Sequence, residues 1–203
     1  MNPVAQIGVL VAALLASFWC LGSPVRADEP TLAEMVRGID SVLSGRKQPL
    51  PQTVRENLEI ARGKNDDAAL HRALAGEVFL TIRINPEGRV KVLPGAAPAT
   101  LTVGESRAFL LKIENASGGQ QSLLPVASYV GAARNPFRLA VPKLGGREPR
   151  LVGLPLEYRL LTVECSEPGT HELTVGISAG QGTQDLGFRG EVPVLFRATA
   201  RPR

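Results

Sequence analysis

Two apolar combs, close together in the chain, constrain this fold more than any other feature. Val78, Leu80, Ile82 and Ile84 alternate with Phe79, Thr81 and Arg83, and Phe109, Leu111 and Ile113 alternate with Leu110, Lys112 and Glu114. A period of two puts alternate side chains on opposite faces of an extended strand. One face therefore demands a core, while the other carries Thr, Arg, Lys and Glu into water. The pattern predicts two strands of an antiparallel sandwich. Further strands are expected around Val90–Val92, Leu101–Val103, Leu123–Ala127, Glu157–Cys165, Leu173–Ile177 and Val192–Phe196. Asn85–Pro86–Glu87–Gly88 is a turn: Pro fixes φ and Gly tolerates positive φ. Glu167–Pro168–Gly169–Thr170 is expected to fold the Cys165 strand onto Leu173–Ile177 as a hairpin. Pro193 places the closing strand at an edge or a strand start, because proline has no N–H for a ladder. About eight short strands with turn signals roughly every ten residues predict a mainly β fold over residues 76–203: an antiparallel, immunoglobulin-like β-sandwich.

The preceding stretch, residues 28–75, reads as two or three short helices packed on that sandwich. Thr31 and Glu34 form a capping-box pattern, followed by Leu32, Met35, Val36, Ile39, Val42 and Leu43 at helical spacing and Gly45 as a C′ residue. Thr53 and Glu56 repeat the box before Val54, Leu58 and Ala61, with Gly63 to close the helix; a third helix is expected from Asp66 to Leu74. His71 lies among Ala and Leu and reads as a surface or capping residue.

Residues 1–27 resemble an export signal. Ile7 to Leu21 is almost wholly apolar, and Val25 and Ala27 stand at the usual cleavage positions before Asp28. The n-region lacks Lys and Arg, so an uncleaved anchor helix is the alternative; a lipoprotein reading at Cys20 is weaker because Phe18 and Trp19 precede it. The expected location is secreted or periplasmic, with no stable membrane span after cleavage. Removing residues 1–27 of 203 leaves 176 residues and one cysteine, Cys165, which reads as a buried small hydrophobe. The net charge of +4 becomes +3 with the loss of Arg26, the basic residues are scattered, and aromatics make up 4%, so no nucleic-acid stripe is visible.

No catalytic constellation emerges. A zinc hydrolase needs three or four ligands in array, and the two histidines, His71 and His171, are far apart in sequence and lack ligand-spaced partners. There is no P-loop or complete dinucleotide fingerprint, and no enzyme activity, cofactor or metal is expected. The irregular stretch 129–150, with Phe137 and Arg138, and the polar loop with Gln181, Gln184 and Asp185 are the candidate binding loops. Asp185 with Gln181, Gln184 and Glu191 offers only thin support for Ca²⁺. Asn115–Ala116–Ser117 is a formal glycosylation sequon in an expected surface turn.

Two longer segments, Ile84–Val92 (INPEGRVKV) and Gly180–Val192 (GQGTQDLGFRGEV), resemble the N-terminal non-catalytic region of secreted bacterial metallohydrolases of the CehA/McbA type. Phe109–Asn115 and Leu156–Leu160 add weaker matches, and the similarity covers roughly residues 66–198. In that family the β module precedes a PHP-type metal-dependent hydrolase domain rich in His and Asp. The H-x-H and later ligands have no counterpart here, so the resemblance implies an accessory β module without the hydrolase activity. The expected function is that of a binding or structural module. The alternatives are an accessory subunit docking on a separately encoded hydrolase or an envelope component, and a glycan-binding module.

Overall fold

The computed structural model describes residues 30–130, 134–144, 149–180 and 188–201. The expected export segment, with Cys20, lies outside the described residues, as do Gln181, Gln184 and Asp185.

Three helices come first. Helix α1 spans Leu32–Gly45, and its capping box forms: the Thr31 amide donates to the Glu34 carboxylate at 2.8 Å and the Glu34 amide to Thr31 Oγ1 at 3.2 Å. Helix α2, Gln52–Gly63, does not use the second expected box. Pro51 takes the N-cap position without a side-chain bond, so Thr53 already lies inside the first turn and cannot reach back. Gln52 instead donates to Glu56 at 2.8 Å. Both helices end at the expected glycines, but the left-handed residues beyond are Lys47 (φ 57°) and Asn65 (φ 50°), not Gly45 and Gly63. Helix α3, Asp67–Leu74, is capped by Asp66, whose side chain accepts from the Ala69 amide at 2.9 Å.

Nine strands follow among the described residues: β1 Val78–Ile84, β2 Val90–Pro94, β3 Thr100–Thr102, β4 Arg107–Asn115, β5 Leu123–Tyr129, β6 Phe137–Ala140, β7 Leu156–Cys165, β8 Gly169–Ala179 and β9 Arg189–Thr199. They form a five-stranded sheet in the order β2-β1-β4-β7-β6 and a four-stranded sheet in the order β3-β9-β8-β5. The two combs are direct neighbours, with Leu80 opposite Leu111 and Ile82 opposite Ile113, but they run parallel. The β3–β9 pair is parallel as well. The expectation of an antiparallel sandwich is corrected at these two pairs, while the other strand pairs are antiparallel: alternation specifies which face a side chain takes, not the direction of the neighbouring strand. The expected β7–β8 hairpin is also corrected. β7 pairs with β4 and β6, β8 pairs with β5 and β9, and the Glu167–Pro168 turn carries the chain from one sheet to the other. Part of the irregular stretch 129–150 is strand, since β6 pairs with the end of β7.

The two sheets share one apolar cluster that includes Leu80, Ile82, Leu111, Val163, Leu173, Val175 and Phe196. The helices cover part of the other face of the five-stranded sheet through a second cluster, where Ile39, Leu58 and Leu74 meet Val78, Leu110, Tyr158 and Leu160. Short amphipathic helices are marginal alone, so this contact is what keeps them helical. Beyond the helices that face is polar, and Arg83 and Lys112 both pair with Glu114, at 2.6 and 2.9 Å. Pro193 sits in the middle of β9, yet β3 pairs only with Arg197–Thr199, so the proline stretch has no strand partner on that side.

Candidate functional site

The most heavily built region is one end of the two sheets, where the loops after β4 and before β7 meet. It starts from β7, which is buried almost throughout yet carries Glu157, 0% exposed, and Arg159, 5% exposed. β6 pairs only with Thr162–Cys165, so the first half of β7 has no strand on that side. Residues of segment 149–155 and Met35 of α1 take its place. The Tyr158 amide meets Met35 Sδ at 3.1 Å, Leu151 enters the inter-sheet core, and Val152 and Leu154 pack on the helical cluster.

The buried charges fasten this segment. The Glu157 carboxylate accepts from the amides of Val152 (3.0 Å), Gly153 (2.8 Å) and Leu154 (3.1 Å), and pairs with Arg159 Nη2 at 2.9 Å. Arg159 also donates to the Arg150 carbonyl at 2.6 Å and the Tyr158 carbonyl at 2.8 Å. Burial pushes the Glu157 carboxyl above its ordinary range, against the pull of Arg159 and the three amides; burial likewise pushes the Arg159 guanidinium down. Taking two charges out of water costs several kcal/mol per ion, about what good pairing and hydrogen bonding can return. The pair therefore adds shape more than stability.

The fastened segment in turn holds the loop after β4. The Leu123 amide donates to the Pro149 carbonyl at 3.0 Å and the Leu151 amide to the Gln121 carbonyl at 2.9 Å. Gln120 Nε2 reaches the Val152 carbonyl at 3.2 Å, and Arg150 Nε the Gln120 carbonyl at 3.2 Å. Gly153, at φ 87°, passes so near Gly118 that a β-carbon would stand 2.8 Å from the Gly118 carbonyl oxygen. Within the loop, Asn115 donates to the Gly119 carbonyl at 2.9 Å and accepts from Ser117 at 2.7 Å. Asn115 is 2% exposed, which corrects the expected surface sequon: its amide is a folding element. The β1–β2 turn lies at the same end. A β-carbon on Gly88 would stand 2.7 Å from the Phe188 ring, and one on Gly180 3.0 Å from the Phe188 side chain.

Phe137 and Arg138, expected in a binding loop, lie on strand β6. Phe137 is 5% exposed, with its ring 5.3 Å from that of Phe196, so it belongs to the core. Arg138 is exposed and lines a hollow of about 260 Å³ with Arg134, Glu164 and Glu167, at the end of the sheets away from the fastened loops. His71 does not cap; its Nδ1 lies 3.0 Å from the Tyr158 hydroxyl, joining α3 to β7. His171 Nε2 lies 3.2 Å from the Glu167 carbonyl, which can only accept, and Nδ1 lies 3.4 Å from the Tyr129 hydroxyl. Cys165 is buried, its thiol donates to the Glu167 carbonyl at 3.2 Å, and burial pushes its pKa up. Among the described residues no three His, Cys, Asp or Glu side chains come together as a metal site, and no helix is long and apolar enough to cross a membrane. Phe79, Phe109, Phe137, Tyr158 and Phe196 are buried, and Tyr129 and Phe188 are half-buried.

Sequence reading missed Glu157 and Arg159. The available signal was two opposite charges at i, i+2 within a strand whose other residues are almost all apolar.

No family model matches this sequence, and no curated protein does. Among solved structures, domains 1–6 of the surface layer protein SbsC match at TM-score 0.32 and 12% identity, over 56% of this chain and 15% of that one. SbsC domains 4 and 5 match at 0.30 and 13%, over 55% and 59%. The cysteine protease inhibitor EhICP2 from Entamoeba histolytica matches at 0.24 and 13%, over 60% and 95%.

Proposed function

We propose that this chain is a secreted or periplasmic, non-catalytic β-sandwich of immunoglobulin-like type that presents the fastened loops at one end to a protein partner. The strand order supports the fold. β4-β7-β6 in one sheet and β9-β8-β5 in the other follow the B-E-D and G-F-C order of immunoglobulin domains, with β3 added beside β9 and the β1–β2 hairpin beside β4. The carrying observation is the Glu157–Arg159 pair, whose bonds to amides and carbonyls beyond β7 go to segment 149–155. Loops fixed beforehand lose little conformational entropy on binding, and binding residues concentrate on loops held by a rigid scaffold. A photo-crosslinking residue at Ser117, with Lys47 as the control at another surface, tests this in the native envelope fraction. One reproducible protein adduct from position 117 alone is expected; equal labelling from both positions, or none, defeats the reading. Hydrolysis of ester or phosphoester substrates that His71 or His171 substitutions abolish would defeat its non-catalytic part.

A second reading is an accessory subunit that docks on a separately encoded metal-dependent hydrolase. It is favoured by the meeting of the two segments that carry the resemblance. Gly190 lies against the backbone of Val90 and Val92, and Phe188 against Gly88, so the described end of the second segment packs on the first. Co-purification with a hydrolase encoded beside this chain tests it.

A further inference from the structure

At the end of the sheets away from those loops, the α1–α2 connection, the Ala97–Thr102 stretch and the start of β4 enclose a groove of about 470 Å³. That volume lies in the range of small-ligand sites, which favour junctions between structural units. Leu43, Leu50, Phe109 and Leu110, each 5% exposed or less, close its floor, and Pro49 and Pro98 give it exposed apolar walls. Gln48 fixes one wall to the strand: its Nε2 donates to the Ser106 carbonyl at 3.0 Å and its Oε1 accepts from the Ala108 amide at 2.9 Å, continuing the ladder where β4 runs past the start of β1.

Arg107 and Glu77 supply the charge. The Arg107 guanidinium lies over the Phe109 ring, 4.9 Å from its centroid, and its Nη1 donates to the Thr100 carbonyl at 2.7 Å and to the Thr100 hydroxyl. The ring takes the face of the guanidinium, and the hydrogen bonds use one nitrogen. Nε and Nη2, the edge that grips a carboxylate through two parallel hydrogen bonds, have no bond among the described residues. Glu77 lines the same groove and forms no ion pair among the described residues, whereas Glu105 at the rim is 3.5 Å from Arg201. Burial pulls the Arg107 pKa down and Glu77 pushes it back up, so a partly dehydrated cation and an anion face one space without closing on each other.

We propose that this groove binds a zwitterion with an aliphatic side chain, a free amino acid or a short peptide, with its carboxylate on Nε and Nη2 of Arg107, its ammonium toward Glu77 and its side chain against Pro49 and Pro98. A dicarboxylate is disfavoured because Glu77 would repel the second charge.

The test is calorimetric titration of the whole chain with L-leucine, leucyl-leucine, leucinamide and N-acetyl-leucine. Leucine or the dipeptide binds; leucinamide, which lacks the carboxylate, and N-acetyl-leucine, which lacks the ammonium, each bind about tenfold more weakly or not at all. The tighter of the first two identifies the source, free amino acid or peptide. Arg107→Gln weakens the preferred ligand by about tenfold while circular dichroism stays unchanged. If Arg107→Gln perturbs folding, the two blocked ligands still decide the matter on the unaltered protein. Binding of leucinamide as tight as that of leucine, or no heat from either zwitterion up to about 10 mM, overturns the proposal.

Discussion

Gly190 and Val92 bring the two sheets into backbone contact: a β-carbon on Gly190 would stand 2.9 Å from the Val92 amide nitrogen and 3.0 Å from the Val90 carbonyl oxygen. Backbone atoms cannot swing aside as a long side chain can. Gly190→Ala is therefore expected to destabilise the fold by about 1–3 kcal/mol, as overpacking does. Gly38, inside α1, has open space where a β-carbon would stand, with no neighbour within 4 Å, so Gly38→Ala is expected to stabilise by about 0.5–1 kcal/mol. Urea denaturation of the two variants should move in opposite directions; a neutral Gly190→Ala would mean the sheets can part there at no cost.

Removing one member of the buried ion pair leaves the other charged, dry and alone. Glu157→Ala also strands three amides, and a loss of about 3–5 kcal/mol is expected. Hydrogen exchange should show the amides of Val152, Gly153 and Leu154 losing protection first, with Leu111 and Val175 in the core following only at global unfolding. Equal loosening of loops and core would show that the pair holds up the sheets as a whole rather than the loops.

Opposite pH limits follow from the contact between α3 and β7. Burial, helped by Lys112 and opposed by Asp67, depresses the His71 pKa below its ordinary 6.5. The folded protein resists this proton, so the stabilisation is complete above pH 6.5 and lost as the pH falls through the folded value. Burial, with Glu114 adding to it, lifts the Tyr158 hydroxyl from 10.0 to about 12. That contribution is complete below pH 10 and lost as the pH rises through about 12. Absorbance titration of the phenolates should contain a component near 12 that Tyr158→Phe removes. Denaturant midpoints at pH 8 and pH 5 should differ less in His71→Gln than in the parent; an identical difference would deny His71 this role.

Two chemical modifications are expected to fail on the native protein. Cys165 is fully buried with its thiol pKa raised, so peptide mapping after thiol labelling at pH 8 should find it unmodified until denaturant is added. Expression in a glycosylating host should yield a folded population with Asn115 unmodified, because its side chain is already bonded to Gly119 and Ser117 inside the turn.

The apolar combs, the Thr31 capping box and a third helix starting near Asp66 were legible because each depends on residues within a few positions of one another, and local spacing decides which face is greasy and which amide is capped. The failed Thr53 box shows the limit of that reasoning: a proline two residues earlier started the helix first. Arg138 could be picked out as an exposed charge, but Phe137 beside it could not be told from a binding residue, because only contact with Phe196 makes it core. Alternation along single strands, and three-to-four spacing in the stretch before them, determined that this chain would be mainly β with helices in front. The parallel pairing of β1 with β4, the separation of β7 from β8 into different sheets, the pairing of Glu157 and Arg159 beneath two loops and the opening of Arg107 onto a groove were decided only in three dimensions. Each depends on which distant segment lies alongside, and the side-chain pattern of one segment does not encode the direction or identity of its neighbour.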